Sequence, residues 1–518
     1  MSAATSKPRP GRPGDRRVPP VPEGLLPHAI EGAAAALCAV IVMVAISALA
    51  LSLLDAGSVG SLGPLTAAVT VMAVGGSLSA DPVGTAQEPG PGLAGLFGGG
   101  MSPSMSGSVD VVPFGVTLVG TVVLWFAFSW RLRHRRVCAR ELSARATGAG
   151  AAALFTLVVL AGLAKGTIVL PASAMSELRG GQGAAGGPGG GAGGSGGLLG
   201  RLLGGGGGAS SDPTMAFHVS VGSAALGALL WVAVVLGVGC LISRRVKVPS
   251  GGPLDRMRPG WAPGLSAVVR MLLLVAAVPL VAVTFVGAVA GGRAATAAGG
   301  ALLLAPNAVA VFLTLGAGSP WTASMEQVQS QGGNPLAGLL GALGGGDRPA
   351  PQPDRTEHLR DVSAGGWPLW PTALVVTGLL LVVCAYVAAR HTDPRHVRPL
   401  HPYRGPLARH VGLAERFGIL TALVMGAACA LAGASGRFGV TMFGSEMGGK
   451  RALLEGSVPW AMAGGLVVGA LAGFGGSLLY RGMTHRPRIL PLKTPPAPLG
   501  GRKAKPGADP LEVPVAHR

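Results

Sequence analysis

The sequence predicts an all-α integral membrane protein that crosses the bilayer several times. Its mean hydropathy is +0.52, and only 12% of its residues are charged, about half the share of a soluble globular chain. Eight apolar stretches each approach or exceed the ~20 helical residues that span the hydrocarbon core. Every second gap between these stretches is rich in arginine.

The eight stretches are taken as spanning helices, and none of them contains Asp or Glu. In chain order they are Gly32–Leu54, Val111–Trp130, Gly150–Leu170, Met215–Ile242, Pro263–Ala290, Trp367–Ala389, Phe417–Ala434 and Trp460–Tyr480. Intramembrane carboxylates commonly mark proton relays and ion pathways. Their absence counts against proton-coupled transport and against intramembrane aspartyl proteolysis.

The basic residues predict the topology. Lys and Arg concentrate in both tails and in the gaps after the second, fourth and sixth helices, whereas Asp55–Asp110 contains none. Because positive residues near helix ends stay on the cytoplasmic side, both termini should be cytoplasmic in a bacterial plasma membrane. The formal charge of +19 then reflects topology and attraction to anionic headgroups, about 1 kcal/mol per residue near the surface. The expected partner is the lipid bilayer and not nucleic acid.

Two further apolar segments, Pro64–Leu78 and Ala301–Gly316, should not cross. The first is about 22 Å long as a helix, short of the ~30 Å core. A crossing by either one alone would also move an arginine-rich gap to the outside. They are expected to be re-entrant helices between two halves of the bundle, with their N-terminal ends facing the bundle interior. The alternative is that they lie flat on the outer surface, with Leu65, Val69 and Met72 facing lipid. Pro64, Pro306 and Asn307 would mark their N-terminal ends, because proline tolerates the first helical turn and an Asn amide can bond exposed backbone.

The same two segments suggest an internal duplication. Each is followed after some thirty residues by a Leu-Ala-Gly-Leu run and a glycine tract. The predicted organisation has a disordered basic tail, two halves of four spanning helices each related as a parallel repeat, and a second disordered basic tail. The boundaries are 1–31, 32–250, 251–485 and 486–518.

Small residues and isolated cations are the candidate site residues. Gly465, Gly469 and Gly473 place small residues on one face of the last helix, for tight packing within the chain or for a homodimer face. Lys165 and Arg270 lie inside predicted spans. They would either snorkel to the interface or line an anion-attracting cavity. The oligomeric state stays open.

Residue patterns for catalysis are missing. The sequence has no phosphate-binding loop and no HExxH, and the match to GxSxG at Gly193–Gly197 lies within a glycine tract. The five cysteines are not clustered as metal ligands. No catalytic, cofactor or metal residue is therefore assigned, and no enzyme activity is expected. The leading hypothesis is a transport-type or channel-like bundle; the alternative is a non-catalytic membrane scaffold or envelope-interaction protein.

Three features carry a family resemblance. They are the run His28–Gly32 before an Ala/Val-rich first helix, the glycine tracts in the outer gaps, and the WPLWP run at Trp367–Pro371. With these the chain resembles the streptophobe family, very hydrophobic Streptomyces membrane proteins of unassigned activity. The resemblance implies an actinobacterial polytopic membrane protein, and it carries over no catalytic or binding residue.

Overall fold

The computed structural model describes ten segments of the chain. They are residues 24–82, 104–132, 138–169, 214–243, 253–290, 292–329, 355–364, 367–392, 407–442 and 445–484. The proposed basic tails, apart from the start of the first helix, and the GxSxG match lie outside the described residues.

Helices dominate the described chain, so the prediction of an all-α polytopic membrane protein is confirmed. The α-helices are α1 Leu25–Leu53, α2 Leu62–Met72, α3 Phe114–Leu132, α4 Ala139–Leu163, α5 Val221–Ile242, α6 Pro253–Ala290, α7 Gly292–Gly316, α8 Leu369–His391, α9 Ala408–Ala432 and α10 Val458–Thr484. By length and apolar composition, eight of the described helices could span a membrane.

An antiparallel β-sheet, which the sequence did not predict, joins the gaps between helices. Its strands are β1 Leu78–Pro82, β2 Ser104–Val111, β3 Lys165–Val169, β4 Thr214–Val219, β5 Trp321–Gln329, β6 Arg355–His358, β9 Ala434–Met442 and β10 Ser445–Gly456. Their order is β3-β4-β1-β2-β9-β10-β5-β6. Two short strands, β7 Ser363–Ala364 and β8 Trp367–Pro368, pair separately before α8.

The sheet identifies which helices cross. All eight of its strands lie at one end of the bundle, here called the sheet end; α1 begins and α10 ends at the opposite, terminal end. Helices α2 and α7 both lead into strands of this sheet. Helix α6 starts at the terminal end, where Gly260 meets Arg416 of α9, and its last turns meet the start of α7, where Gly287 faces Ala298. Eight helices therefore run from end to end, while α2 and α7 begin and end at the sheet end.

Length alone selects a slightly different set of eight helices. It includes α7, which has 25 residues, and omits α3, whose qualifying apolar stretch is the shorter Phe114–Trp130. The order of elements requires the reverse, because the chain passes from β2 through α3 to the terminal end and returns through α4 to β3. The sequence-based choice of crossing segments agrees with this order.

Several predicted bounds are wrong. The third span ends at Leu163 because Lys165–Val169 forms β3, and the fourth begins at Val221 because Thr214–Val219 forms β4. Helix α7 begins at Gly292, nine residues before Ala301. Helix α1 begins at Leu25 and so includes Glu31, which places a carboxylate in a candidate span.

One order of elements occurs twice. It runs helix, re-entrant helix, two strands, two helices, two strands and helix, first from α1 to α5 and then from α6 to α10. The strands also follow the same order within the sheet, β3-β4-β1-β2 beside β9-β10-β5-β6, and the two sets join where β2 pairs with β9. The repeat supports the proposed duplication, with its boundary between α5 and α6.

Small side chains bring the helices of each half together. In the first half the crossing of α1 and α4 is reciprocal: Gly32 meets the Arg145 carbonyl, and Gly148 meets the Ala29 carbonyl. Deeper in this half, Ala36, Ala39 and Met43 are buried in one apolar cluster with residues of α3, α4 and α5. The second half holds a similar cluster around Leu381, Phe417 and Met425. Close packing of this kind replaces the hydrophobic driving force that helices lose in lipid.

Candidate functional site: the layer at the sheet end

The re-entrant helices α2 and α7 finish in the same turn. Gly75 and Gly318 follow them with φ of 98° and 95°, a left-handed conformation that glycine adopts without a steric penalty. Their amides donate to the Met72 and Leu315 carbonyls, both at 2.9 Å. The chain then turns up into β1 and β5.

The C-terminal ends of α2 and α7 are their deepest points. The Val74 carbonyl lies against Gly227, and the Ala317 carbonyl lies against Gly464; a Cβ on either glycine would overlap the oxygen. Gly227 and Gly464 are each the seventh residue of their helices, α5 and α10. The two ends thus sit about 9 Å below the start of those helices. The expectation that the N-terminal ends would face the bundle interior is therefore wrong. Each helix is inclined so that its C-terminal end lies deepest, and the chain turns back at Gly75 or Gly318.

Helix α2 does not lie flat with one face in lipid. Leu65, Val69 and Met72, the residues that would face lipid in that arrangement, are each half-buried. Leu65 and Val69 pack against apolar clusters of the first half. Thr117 of α3 donates to the Ala73 carbonyl at 2.5 Å, which fixes the end of α2 against the bundle.

Pro64 and Pro306 occupy unlike positions. Pro64 lies in the first turn of α2, as expected, but Pro306 lies in the middle of α7 because that helix starts earlier than predicted. Proline has no amide hydrogen for the carbonyl four residues earlier. That carbonyl, of Leu302, points at Gly115 of α3, where a Cβ would overlap it. The carbonyl that Pro306 leaves without a helical hydrogen bond thus lies at a close contact between the two halves.

Asn307 joins the two halves with two hydrogen bonds. Its amide nitrogen donates to the Val112 carbonyl at 2.7 Å, and its oxygen accepts from the Phe114 amide at 2.9 Å. The side chain is buried. It satisfies backbone groups at the start of α3, which has no preceding helical turn to do so. The expected bonding to exposed backbone occurs, although the backbone belongs to another segment.

The buried hydroxyls near α2 are engaged in hydrogen bonds. Thr66 and Thr70 donate to the carbonyls of Leu62 and Thr66, at 2.7 and 2.8 Å. The Thr70 and Ser47 hydroxyls share a buried bond of 3.1 Å. These groups hold α2 against α1 and leave little bonding capacity for a passing solute.

Both candidate cavity cations are exposed. Lys165 is the first residue of β3, just beyond α4, and its side chain is exposed at the sheet end. Its predicted place inside a spanning helix is wrong, because the helix ends two residues earlier. Arg270 lies within α6 with its side chain exposed.

The three glycines of α10 lie against α9. A Cβ on Gly469 would lie 2.6 Å from the Thr421 Cβ, and Cβ atoms on Gly465 and Gly473 would lie 3.1 Å from the Met425 Cβ and 3.0 Å from the Ala414 Cα. This glycine face is therefore used within the chain, which leaves no room on it for a second copy.

A polar row crosses the face of the sheet that is turned away from the helices. Residues in register share this face: Lys165, His218, Ser79, Ser108, Arg437, Arg451 and Glu326. Each is exposed or half-buried. The row covers seven strands, about 29 Å at ~4.8 Å per strand. The alternate residues Met215, Phe217 and Val219 are buried against the helices.

One part of the row brings together a serine, a histidine and an aspartate. Ser79 lies opposite His218, and His218 Nδ1 lies 3.5 Å from Asp81 Oδ2. These are the residue types of a hydrolase triad. However, no hydrogen bond joins Ser79 to His218 among the described residues, and the His218 and Asp81 side chains are 49% and 59% exposed. Water screens such a pair, and a nucleophile needs a base within hydrogen-bond reach.

Sequence reasoning missed the polar row and the pairing of Glu31 with Arg145. Arg145 is buried in α4, forms an ion pair with Glu31 of α1, and lies over the Phe128 ring at 5.7 Å from its centre. The residues Leu25 to Glu31, which precede the apolar run and contain no glycine, could have indicated that the first helix starts before Gly32. Within the described part of the chain, no group of three His, Cys, Asp or Glu side chains could hold a metal ion.

Comparisons with known proteins give no relative. No family model matches the chain, and neither a curated protein nor a solved structure matches it.

Proposed function

We propose that this multi-pass membrane protein is a non-catalytic scaffold that holds a polar β-sheet on the outer side of a bacterial plasma membrane, for interaction with the cell envelope. One observation carries the proposal. A row of polar side chains crosses seven strands on the sheet face turned away from the helices, while the interior of each half is packed with apolar side chains.

The orientation follows from the arginine pattern. The arginine-rich gaps adjoin the terminal end of the bundle, and the segment from Asp55 to Asp110, which contributes β1 and β2, has no Lys or Arg. Positive residues near helix ends favour the cytoplasmic side. The sheet would then face outward, and the terminal end would meet anionic headgroups of the inner leaflet.

The transport-type alternative has less support. Its candidate cations, Lys165 and Arg270, are exposed. The buried hydroxyls of Thr66 and Thr70 are bonded to their own helix. Membership of the streptophobe family and an actinobacterial source stay predictions from the resemblance.

Site-specific photo-crosslinking tests the scaffold role. A photoreactive residue placed at Ser108, in the polar row, should capture an envelope component in intact cells. The same residue at Phe155, which is 71% exposed on α4, is the control and should capture lipid only. Purified protein in proteoliposomes should not raise the permeability to ions or small solutes. A protein-dependent flux, or equal captures at both positions, would overturn the scaffold proposal.

A further inference from the structure

The connection between β6 and α8 is much longer than its counterpart in the first half. There, β2 ends at Val111 and α3 begins at Phe114, so two residues join the strand to the helix. In the second half β6 ends at His358 and α8 begins at Leu369, so ten residues join the equivalent elements. These ten residues, 359–368, carry the paired strands β7 and β8 and are here called the hairpin segment. An addition to one copy of a repeat indicates a role of its own.

The hairpin segment is held against the start of α8. Strands β7 and β8 pair with each other, and the Leu369 amide donates to the Val362 carbonyl at 3.2 Å. The Arg360 guanidinium stacks over the Trp370 ring, 4.6 Å from its centre, in a cation–π contact. Both contacts are made to the first turn of α8. The place of Trp367 in β8 is therefore set by that helix.

Trp367 is nevertheless 72% exposed. Further along α8, the side chains of Val375, Leu379 and Val383 are exposed as well and recur every four residues. Residues four apart lie on one side of a helix. On a helix long and apolar enough to span a membrane, such an exposed apolar side faces lipid. Trp367 thus stands at the end of a helix whose exposed side is in contact with the bilayer.

The length of α8 places Trp367 at the boundary of the hydrocarbon core. Its apolar part, Leu369–Ala389, is followed by Arg390 and rises about 31 Å, close to the ~30 Å thickness of the core. With Arg390 at one boundary, Trp367 lies at the other. Trp460, in the first turn of α10, is also exposed at this end of the bundle. Tryptophan is enriched at this level because its ring is apolar while its indole N–H donates hydrogen bonds.

From this geometry we propose that the hairpin segment is a lipid-binding anchor, with Trp367 inserted between the headgroups and acyl chains of the phospholipid leaflet at the sheet end. The arginine pattern makes this the outer leaflet. The segment directly follows β6, the last strand in the order of the sheet, and the Leu359 amide donates to the Trp321 carbonyl of β5 at 3.0 Å. Insertion of Trp367 therefore fixes the level of this edge of the sheet above the membrane.

A soluble partner fits Trp367 less well than lipid does. A glycan or a protein can also stack on an exposed indole, but Trp367 belongs to the separate two-stranded sheet and not to the polar row. It lies two residues before a spanning helix, at the level where lipid is present at high concentration. The anchor adds a lipid contact to the scaffold role and does not depend on what binds to the polar row.

Tryptophan fluorescence of the full chain in phosphatidylglycerol proteoliposomes tests the anchor. The emission of Trp367 is the difference between wild type and Trp367→Phe, a variant that keeps an apolar ring. Because the interface lies about 15 Å from the bilayer centre, a phospholipid brominated beside its carbonyl groups should quench this emission at least about twofold more than one brominated near its chain ends. Acrylamide in the aqueous phase should quench it only weakly.

Two tryptophans introduced into the Trp367→Phe protein calibrate the depth. Val375→Trp lies on the exposed side of α8, about 12 Å deeper, and should be quenched most by bromines near the chain ends. Ser108→Trp, exposed in the polar row, should respond to acrylamide and to neither brominated lipid. Emission of Trp367 that behaves like that of Ser108→Trp would overturn the proposal and point to a soluble partner. Emission that behaves like that of Val375→Trp would overturn it by placing the hairpin segment inside the core. Photo-crosslinking at Ser108 is a separate readout, so failure of the scaffold role would be recognised independently.

Discussion

The two halves of the molecule repeat one order of elements but use the re-entrant helix differently. Helix α2 has 11 residues, and its counterpart α7 has 25. Both end in the same glycine turn. Each end also contacts a glycine that is the seventh residue of the last helix in its own half, Gly227 of α5 or Gly464 of α10. The N-terminal arm of α7, from Gly292 to Asn307, contacts α1 at Gly299 and α3 at Leu302 and Asn307. The shared end therefore anchors each helix in its own half, and the added arm joins the halves.

The sheet shows the same asymmetry. Strand β9 pairs along its length with β2 of the first half. Its counterpart β3 lies at the edge of the sheet and carries, on that edge, an isolated bridge between Gly60 and Ile168. The halves are thus joined head to tail, and the Gly60 segment covers part of the edge that would otherwise invite another strand. The two repeats are thus held together by one arm and one strand pairing, and one edge of the sheet is partly covered.

The largest expected effect comes from filling the glycines under the two re-entrant ends. Gly464→Leu and Gly227→Leu should each force a carbonyl and its turn out of place, at about 3 kcal/mol, the upper part of the range for overpacked cores. Thermal aggregation in detergent measures the loss. Gly475→Leu and Gly222→Leu are the controls, because a Cβ at either position meets nothing within 4 Å. If only one member of the pair is sensitive, the two ends are not equivalent.

Gly469→Leu should cost about 2 kcal/mol through overpacking of α10 against α9. The first half offers the contrast, since a Cβ on Gly237 of α5 meets nothing within 4 Å, and Gly237→Leu should be tolerated. The same detergent assay compares them. Unchanged aggregation of the Gly469→Leu variant would show that the glycine face of α10 is exposed to lipid.

The arm of α7 can be loosened without touching the shared turn. Asn307→Ala removes both hydrogen bonds to the start of α3 and leaves backbone groups unsatisfied, for a loss of about 1–2 kcal/mol. Asn307→Asp keeps the acceptor for the Phe114 amide, but it buries a carboxylate whose second oxygen faces the Val112 carbonyl, so it should cost at least as much. Limited proteolysis at the junction of the halves, together with thermal unfolding, reports the change. Equal stability of all three proteins would mean that the arm does not join the halves.

No effect is expected from Ser79→Ala on labelling by a fluorophosphonate, because Ser79 lacks a hydrogen bond to His218 and lies on an open sheet face. The wild-type protein should itself remain unlabelled. Labelling of wild type that disappears in Ser79→Ala would replace the scaffold proposal with a hydrolase.

Much of the helical architecture follows from two properties that are local in sequence. The length of an apolar stretch predicts where a helix lies. The arginine pattern predicts whether an even number of helices crosses between two arginine-rich gaps, which is why α2 and α7 could be separated from the crossing helices. The sheet was missed because its strands are short and rich in Ser and Gly, as in Ser104–Val111, or continue an apolar helix, as in Lys165–Val169. Alternation in Thr214–Val219 was a usable signal.

The site could not be foreseen for a different reason. Its residues come from four gaps far apart in the chain, and only strand register brings Ser108, Arg437 and Glu326 into one row. Register depends on pairing between segments, which composition and spacing do not encode. Asn307 is intermediate: its type indicated backbone bonding, but its partner on α3 required the fold.

The central claim is that α7 returns to the side from which it starts, so that eight helices cross and the whole sheet lies outside. Cysteine accessibility in intact cells tests it most directly, with cysteines introduced at Arg293, in the first turn of α7, and at Glu326, beyond its C-terminal end, both of which are exposed. An impermeant thiol reagent should label both, and also a cysteine at Ser106, while the native Cys138 at the terminal end stays unlabelled. Labelling of only one of Arg293→Cys and Glu326→Cys would make α7 a crossing helix, and labelling of Cys138 would invert the topology.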